Sequence, residues 1–285
     1  MATVWELDFY SRPILDENQK KRWEVLLCEG AQSVNDQPGF RYSQYLANTE
    51  VNSIELKKAI QAAIDQAPTP PVRIRFFRYQ MQNMIKRASE DLGLPVRLSR
   101  RTLMLQNWLD ERRQQVYPNE PGYQGGQNPS VRAPIEVAQP LPDALIGQQW
   151  TFVSLPAQDF DEMPEWDIDF GEGFPLPLTG VDPQTPIPGI IIFSQRATPL
   201  AAWMSGLELG ALKPQIGEVS RLLLETGTSD TWILERLSDP ALIKAAKKFE
   251  AAKQQANGVH FVAVQASAET DAFAGFWLMQ SREFG

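Results

Sequence analysis

This 285-residue chain has one cysteine and one histidine. Cys28 has no second thiol with which to form an internal disulfide or a CxxC pair, which suits a reducing compartment. It ends an apolar run from Val25 and reads as a core thiol. His260 lies beside Phe261 in an apolar strand pattern, so the sequence offers no Ser-His-Asp triad, no Cys-His couple and no multi-histidine metal site. The chemistry that remains is non-enzymatic, with no catalytic residue, metal or cofactor expected.

Long apolar stretches are also missing. Apolar runs such as Ile190 to Phe193 fall far short of the roughly 20 residues a bilayer span needs. Met1 to Asp8 carry neither the basic start and apolar stretch of a signal peptide nor the Arg/Ser enrichment of a transit peptide. The expected location is therefore the cytoplasm.

Lysine and arginine are absent from residues 133–195, which hold ten Asp/Glu. Seven of these fall in one short stretch: Asp159, Asp161, Glu162, Glu165, Asp167, Asp169 and Glu172. Their spacing is not that of a calcium-binding loop, so they read as a solvated acidic loop that docks on the chain's own basic domain or on a partner.

What is present, set against that, is a concentration of positive charge. Residues 72–113 hold ten Lys/Arg against four Asp/Glu, in a chain of net charge −8. Arg73, Arg75, Arg78, Lys86, Arg87, Arg97, Arg100 and Arg101 supply cations for phosphate, and Phe77 and Tyr79 supply ring faces for bases. Arginine suits the task because its planar fork both grips phosphate and stacks. Should Val72 to Arg78 be a central strand, Arg73 and Arg75 would be paired inside, leaving the helix and loop cations as the safer candidates.

Periodicity predicts strands at Trp5 to Tyr10, Arg22 to Cys28 and Phe40 to Leu46. A helix capped by Asn52 and Glu55 carries Leu56, Ala59, Ile60, Ala63 and Ile64 to a stop at Pro68. A strand over Val72 to Arg78, a helix through Met81, Ile85 and Leu92, a short strand at Val96 to Leu98 and a helix holding Leu105, Trp108 and Leu109 complete the order βββαβαβα. That is the order of a ribonuclease H-like domain, a mixed sheet flanked by helices. Such folds host two-metal nucleases, and Asp8 and Glu55 stand where two of the acids would. The third place, at the end of the fourth strand, offers Arg78 and Tyr79, which argues against cleavage.

Six prolines and four glycines between Tyr117 and Gly147 read as a connector. Gly122, Gly125 and Gly126 lack the strand, helix and Lys-Ser/Thr pair of a phosphate loop. The organisation expected is α+β in two domains: 1–116 for RNA, 117–147 as linker, and an α/β domain over 148–285. In the last, strands are predicted at Trp150 to Leu155, Gly189 to Phe193, Arg221 to Glu225, Trp232 to Glu235 and Val259 to Gln265. Asp239 and Pro240 open a helix running to Asn257-Gly258. A strand pair, a helix and a returning strand recur in both halves, consistent with a similar core.

The opening Trp5-Glu6-Leu7-Asp8-Phe9-Tyr10-Ser11-Arg12-Pro13 and the run Lys21-Arg22-Trp23-Glu24-Val25-Leu26-Leu27-Cys28 resemble a Tab/Atab-type family of cyanobacterial and chloroplast A/U-rich RNA-binding translation factors. Arg73-Ile74-Arg75-Phe76-Phe77-Arg78, Trp108-Leu109 with Glu111-Arg112 and Tyr117-Pro118, and Phe276-Trp277-Leu278-Met279-Gln280 extend the likeness over the whole chain. The resemblance implies binding of A/U-rich RNA in an mRNA leader. It further implies support for translation of psaB, a photosystem I reaction-centre message, alongside translation or photosystem-assembly proteins. The alternative reading is a non-catalytic interaction scaffold for photosystem assembly, in which the acidic stretch docks on a basic partner.

Overall fold

The structure, a computed structural model, describes residues 3–125 and 137–282. The described chain falls into two compact units, 3–31 with 37–125 and 32–36 with 137–282.

The first unit is built from β1 (Thr3–Leu15), β2 (Lys21–Glu29), β3 (Arg41–Leu46), α1 (Ser53–Gln66), β4 (Pro71–Phe76), α2 (Gln82–Glu90), β5 (Val96–Leu98) and α3 (Leu103–Glu111). Its one sheet has the order β3-β2-β1-β4-β5. β1, β2 and β3 are antiparallel neighbours, whereas β4 and β5 run parallel to β1. The hairpin between β1 and β2 closes on Asp16, whose carboxylate accepts from the N–H groups of Asn18 (2.8 Å) and Lys20 (2.9 Å). Asn52 caps α1 by accepting from Ile54 and Glu55 N–H, while the Glu55 side chain turns to Lys58 (2.8 Å) rather than back to the cap.

Alternation along the strands makes the two faces of this sheet different in kind. Trp5, Leu7, Phe9, Val25, Leu27, Ile74 and Phe76 point to one side and meet Leu56, Ile60, Ala63, Ile85 and Ala88 of α1 and α2 in an apolar core. Glu6, Asp8 and Glu24 point to the other side, which α3 covers, and all three are buried. The Glu6 carboxylate accepts from Leu105 N–H (2.7 Å), capping the first turn of α3.

The expected connector is narrower than its composition suggested. Tyr117 is buried, and Leu15 N–H donates to Gly122 C=O (2.9 Å), so its first part is held by the first unit. Gly126 and the rest of 126–136 lie outside the described residues.

The second unit contains β6 (Gln139–Pro140), β7 (Gln149–Pro156), β8 (Ile168–Glu172), β9 (Pro186–Phe193), α4 (Ala197–Ser205), β10 (Leu209–Gln215), β11 (Arg221–Thr226), β12 (Asp230–Arg236), α5 (Pro240–Gln255), β13 (Val259–Gln265) and β14 (Phe273–Gln280). Two sheets form, β7-β9-β13-β14-β8 and β10-β11-β12-β6, enclosing a core that includes Ile190, Leu212, Leu224, Phe249, Val262 and Trp277. β7–β9 and β13–β14 are antiparallel pairs, and β9–β13 and β14–β8 are parallel ones. The likeness to the first sheet therefore stops at a mixed sheet with helices on it.

The acidic segment is not a plain loop. Ala157–Glu165 forms 3-10 turns that bury Phe160 and Met163, and β8 follows with Ile168 and Phe170 half-buried. His260 is fully buried in β13, where its Nε2 accepts from Leu212 N–H and its Nδ1–H donates to Gly258 C=O, both at 2.8 Å.

Candidate nucleic-acid interface

The polar face of the first sheet gathers acids from β1 and β2 and bases from β1 itself and from more distant parts of the chain. Asp8 receives Arg78 Nε and Nη2, the latter at 3.3 Å, and Arg12 Nη1 at 2.9 Å. Glu24 accepts from Arg12 Nε (2.7 Å), Tyr117 Oη (2.6 Å), Ser43 Oγ (2.8 Å) and Arg112 Nη2. Arg78 also lies over the rings of Tyr10 and Phe77, 4.0 and 4.7 Å from their centroids.

Burial alone would raise the pKa of Asp8, but the Arg78 and Arg12 guanidiniums outweigh it and hold the carboxyl below its ordinary value. Burial likewise opposes the charged Arg12, and Asp8, Tyr117 and Glu24 reverse that and raise its pKa. For the phenol of Tyr117, burial comes first and pushes its pKa upward. A carboxylate locked in this way has its lone pairs committed and its charge cancelled. Among the described residues, no group of three or more His, Cys, Asp or Glu is placed to hold a metal ion.

The structure divides the sequence-predicted site residues into an inner and an outer set. Arg75 (2% exposed), Phe77 (1%) and Arg78 (1%) are inside. This corrects the expectation that they face RNA: the strand face that alternation marked as basic is the face α3 covers, and Asp8 meets Arg78 there. Arg73 is half-buried and has partners of its own, as do Arg100 and Arg101. Tyr79 is 40% exposed, and Lys86, Arg87 and Arg97 are exposed, with no ion-pair partner for these three cations among the described residues.

Tyr79 follows the carboxyl end of β4, and Ser99 N–H donates to Phe76 C=O (2.9 Å), drawing the segment that carries Arg100 and Arg101 alongside. Arg97 is the register partner of Arg75 on the edge strand β5. Lys86 and Arg87 sit on α2, over the apolar face. Tyr79 and the Arg100–Arg101 segment thus border the carboxyl end of the parallel strands, the usual place for a ligand on such a sheet, with Lys86 and Arg87 on the covering helix and Arg97 on the edge strand. Sequence reasoning missed Arg12, Glu24, Arg112 and Tyr117 as one ion-paired and hydrogen-bonded group. Its one available signal was Arg78 itself, a cation standing where a metal site would need an acid.

No helix among the described residues is long and apolar enough to cross a membrane. No solved structure matches the chain. Two family models match it: "RNA-binding protein Tab2/Atab2 N terminal" over residues 4–112 and "RNA-binding protein Tab2/Atab2, C-terminal domain" over 128–280. The chain is 39% identical over 282 residues to a maize protein named "Protein TAB2 homolog, chloroplastic", covering 96% of this chain and 70% of that one. It is 37% identical over 286 residues to an Arabidopsis thaliana protein of the same name, covering 96% and 74%. With both family models matched in order and relatives at this identity over nearly its full length, the chain belongs to the Tab2/Atab2 family of RNA-binding proteins.

Proposed function

We propose that the first unit binds single-stranded, A/U-rich RNA in an mRNA leader, in support of translation of a photosystem reaction-centre message such as psaB, without catalysing a reaction on it. The observation that carries this reading is the exposed set Tyr79, Lys86, Arg87 and Arg97 in a chain of net charge −8. The three cations have no ion-pair partner among the described residues, so their field acts outward, and Tyr79 offers a stacking face at the strand ends. Arg100 and Arg101, which have partners within the protein, border the same strand ends as Tyr79.

Binding without cleavage is supported by the state of Asp8, whose carboxylate is engaged by two arginines. The order β3-β2-β1-β4-β5, with its antiparallel and parallel halves, supports keeping the ribonuclease H-like description of this unit. The relatives' names place them in chloroplasts, and we assign this chain to the cytoplasm of a cyanobacterium.

The test is a titration of oligo-uridine and oligo-cytidine at low and moderate salt, with the parent chain and a Lys86→Glu, Arg97→Glu variant. We expect preferential binding of oligo-uridine, with a salt slope of about −0.7 per phosphate neutralised, and a loss of at least tenfold in the variant. Equal affinity in the parent and the charge-reversed protein removes the basis of the reading.

A further inference from the structure

β8 is the outermost strand of its sheet and is hydrogen-bonded only to β14 within it. Phe273 N–H donates to Asp167 C=O (2.8 Å), and the parallel register sets Ile168 opposite Phe273 and Phe170 opposite Gly275. In such a ladder alternate residues bond to the neighbour. Asp167, Asp169 and Gly171 therefore direct their main chain at β14, and Ile168 and Phe170 turn N–H and C=O outward. Among the described residues these outward groups have no hydrogen-bond partner.

A cleft of about 300 Å³ lies along this strand. Trp166, Met163 and Pro164 line it together with residues 32–34, and Gln32 C=O takes Gly173 N–H (2.8 Å), closing the far end of the edge. The charged groups in its lining are carboxylates, Asp169 and Glu172. Trp166 is half-exposed and braced against Phe276, with ring centroids 5.3 Å apart.

We propose that β8 accepts a short extended segment of a partner protein as an added strand, and that the segment carries lysine or arginine. The outward groups of Ile168 and Phe170 supply the main-chain bonds, Asp169 receives a cation, and Trp166 offers a ring face to another. RNA is the poorer occupant, because its phosphates would meet two carboxylates in a stretch of 63 residues without lysine or arginine. This surface is independent of the RNA-binding reading.

The test uses the full chain and a fluorescent ten-residue peptide alternating arginine and valine, with a glutamate-valine peptide as control. We expect the arginine peptide alone to bind and to slow amide hydrogen exchange at Ile168 and Phe170. Ile168→Pro removes an outward N–H while sparing the bonds to β14, and proline is tolerated on an edge strand. Asp169→Lys reverses the charge. Each should weaken the peptide at least tenfold. Asp169→Lys, at an exposed position, should leave thermal unfolding unchanged. Ile168→Pro is compared with Ile168→Ala, which trims the same half-buried side chain but keeps the outward N–H and should retain the peptide. Failure of the arginine peptide to bind overturns the proposal, as does binding that Ile168→Pro leaves intact, which would be charge attraction alone. Protection of the two amides by oligo-uridine instead assigns the edge to RNA. Self-association of Asp169→Lys with no change in peptide affinity reduces the acids to guards against edge pairing, and equally overturns it.

Discussion

Arg78, just beyond the end of β4, reaches Asp8 of β1 across 70 residues of chain and engages both carboxylate oxygens. Removing the cation leaves a buried charge with Arg12 as its remaining ion-pair partner. We expect Arg78→Met to destabilise the protein by about 3–5 kcal/mol, the cost of breaking a buried pair from one side. Adding Asp8→Asn should restore part of the loss, because the stranded charge is then gone. Urea unfolding of the two single variants and the double variant measures the coupling.

The same pair sets an acid limit. The Asp8 pKa is lower in the folded protein than its ordinary 3.8. The unfolded chain therefore takes up the proton first as pH falls. The stability from this carboxylate is complete above about pH 4 and is lost as pH drops toward the folded value. Unfolding free energy measured from pH 5 down to pH 2 should fall less steeply in Asp8→Asn than in the parent.

A second pH dependence lies higher. Burial first, and then the nearby Lys253, lower the His260 pKa from 6.5 to about 3, with the Gly258 carbonyl acting weakly in the other direction. The neutral ring accepts from Leu212 N–H, and Lys253 Nζ donates to the carbonyl of the same residue (2.9 Å). An unfolded histidine gains its proton below about pH 6.5, and the folded one does not. Stability should then decline by about 1.4 kcal/mol per pH unit between pH 6 and pH 4. His260→Gln, which keeps an acceptor for Leu212 and loses the proton, should flatten that slope.

Much of the first unit was legible because its signals are local. Asn52 before an amphipathic run, the polar turn at Asp16 and the alternation in β1 and β2 each depend on residues close in sequence, and the element order follows from them. The inward turn of Arg75 and Arg78 was not legible. Alternation places Arg73, Arg75 and Phe77 on one face, but nothing local says that α3 will cover that face or that Asp8 will meet Arg78. In the second unit α4, β8, β10 and β14 escaped notice for related reasons. Pro199 sits inside α4, Gly210 and Pro214 interrupt β10, and the acids around β8 mask the half-buried Ile168 and Phe170. Charge composition identified the basic region. Which of its members face water depended on contacts between distant segments.

Two neighbouring aromatic residues separate binding from folding. Tyr79 is 40% exposed and Phe77 1%. Tyr79→Ala should weaken oligo-uridine binding by about 1–3 kcal/mol, the range for one base–aromatic stack, with little change in urea midpoint. Phe77→Ala should instead cost about 3–5 kcal/mol of stability by emptying a buried site. Its RNA affinity, measured well below the unfolding transition, should remain near that of the parent. The reverse pattern would place the stacking ring inside the sheet.

Gly189 of β9 stands opposite Phe261 of β13 in the register of the second unit. A methyl group at this glycine would lie 2.4 Å from the Phe261 ring, which is itself stacked on Phe276 at 5.0 Å and set edge-on to Phe160 at 5.7 Å. The ring has aromatic neighbours and cannot withdraw without disturbing them, so the strain is not relieved by one rotamer change. Gly189→Ala should therefore destabilise by about 1–3 kcal/mol, the range for overpacking a filled core, although alanine loses less chain entropy than glycine on folding. Phe261→Leu in the same chain opens space for the methyl group and should make the glycine substitution less costly than it is alone. Urea unfolding of this second double-mutant cycle gives the coupling, and additive costs would mean that the ring and the glycine do not share the space.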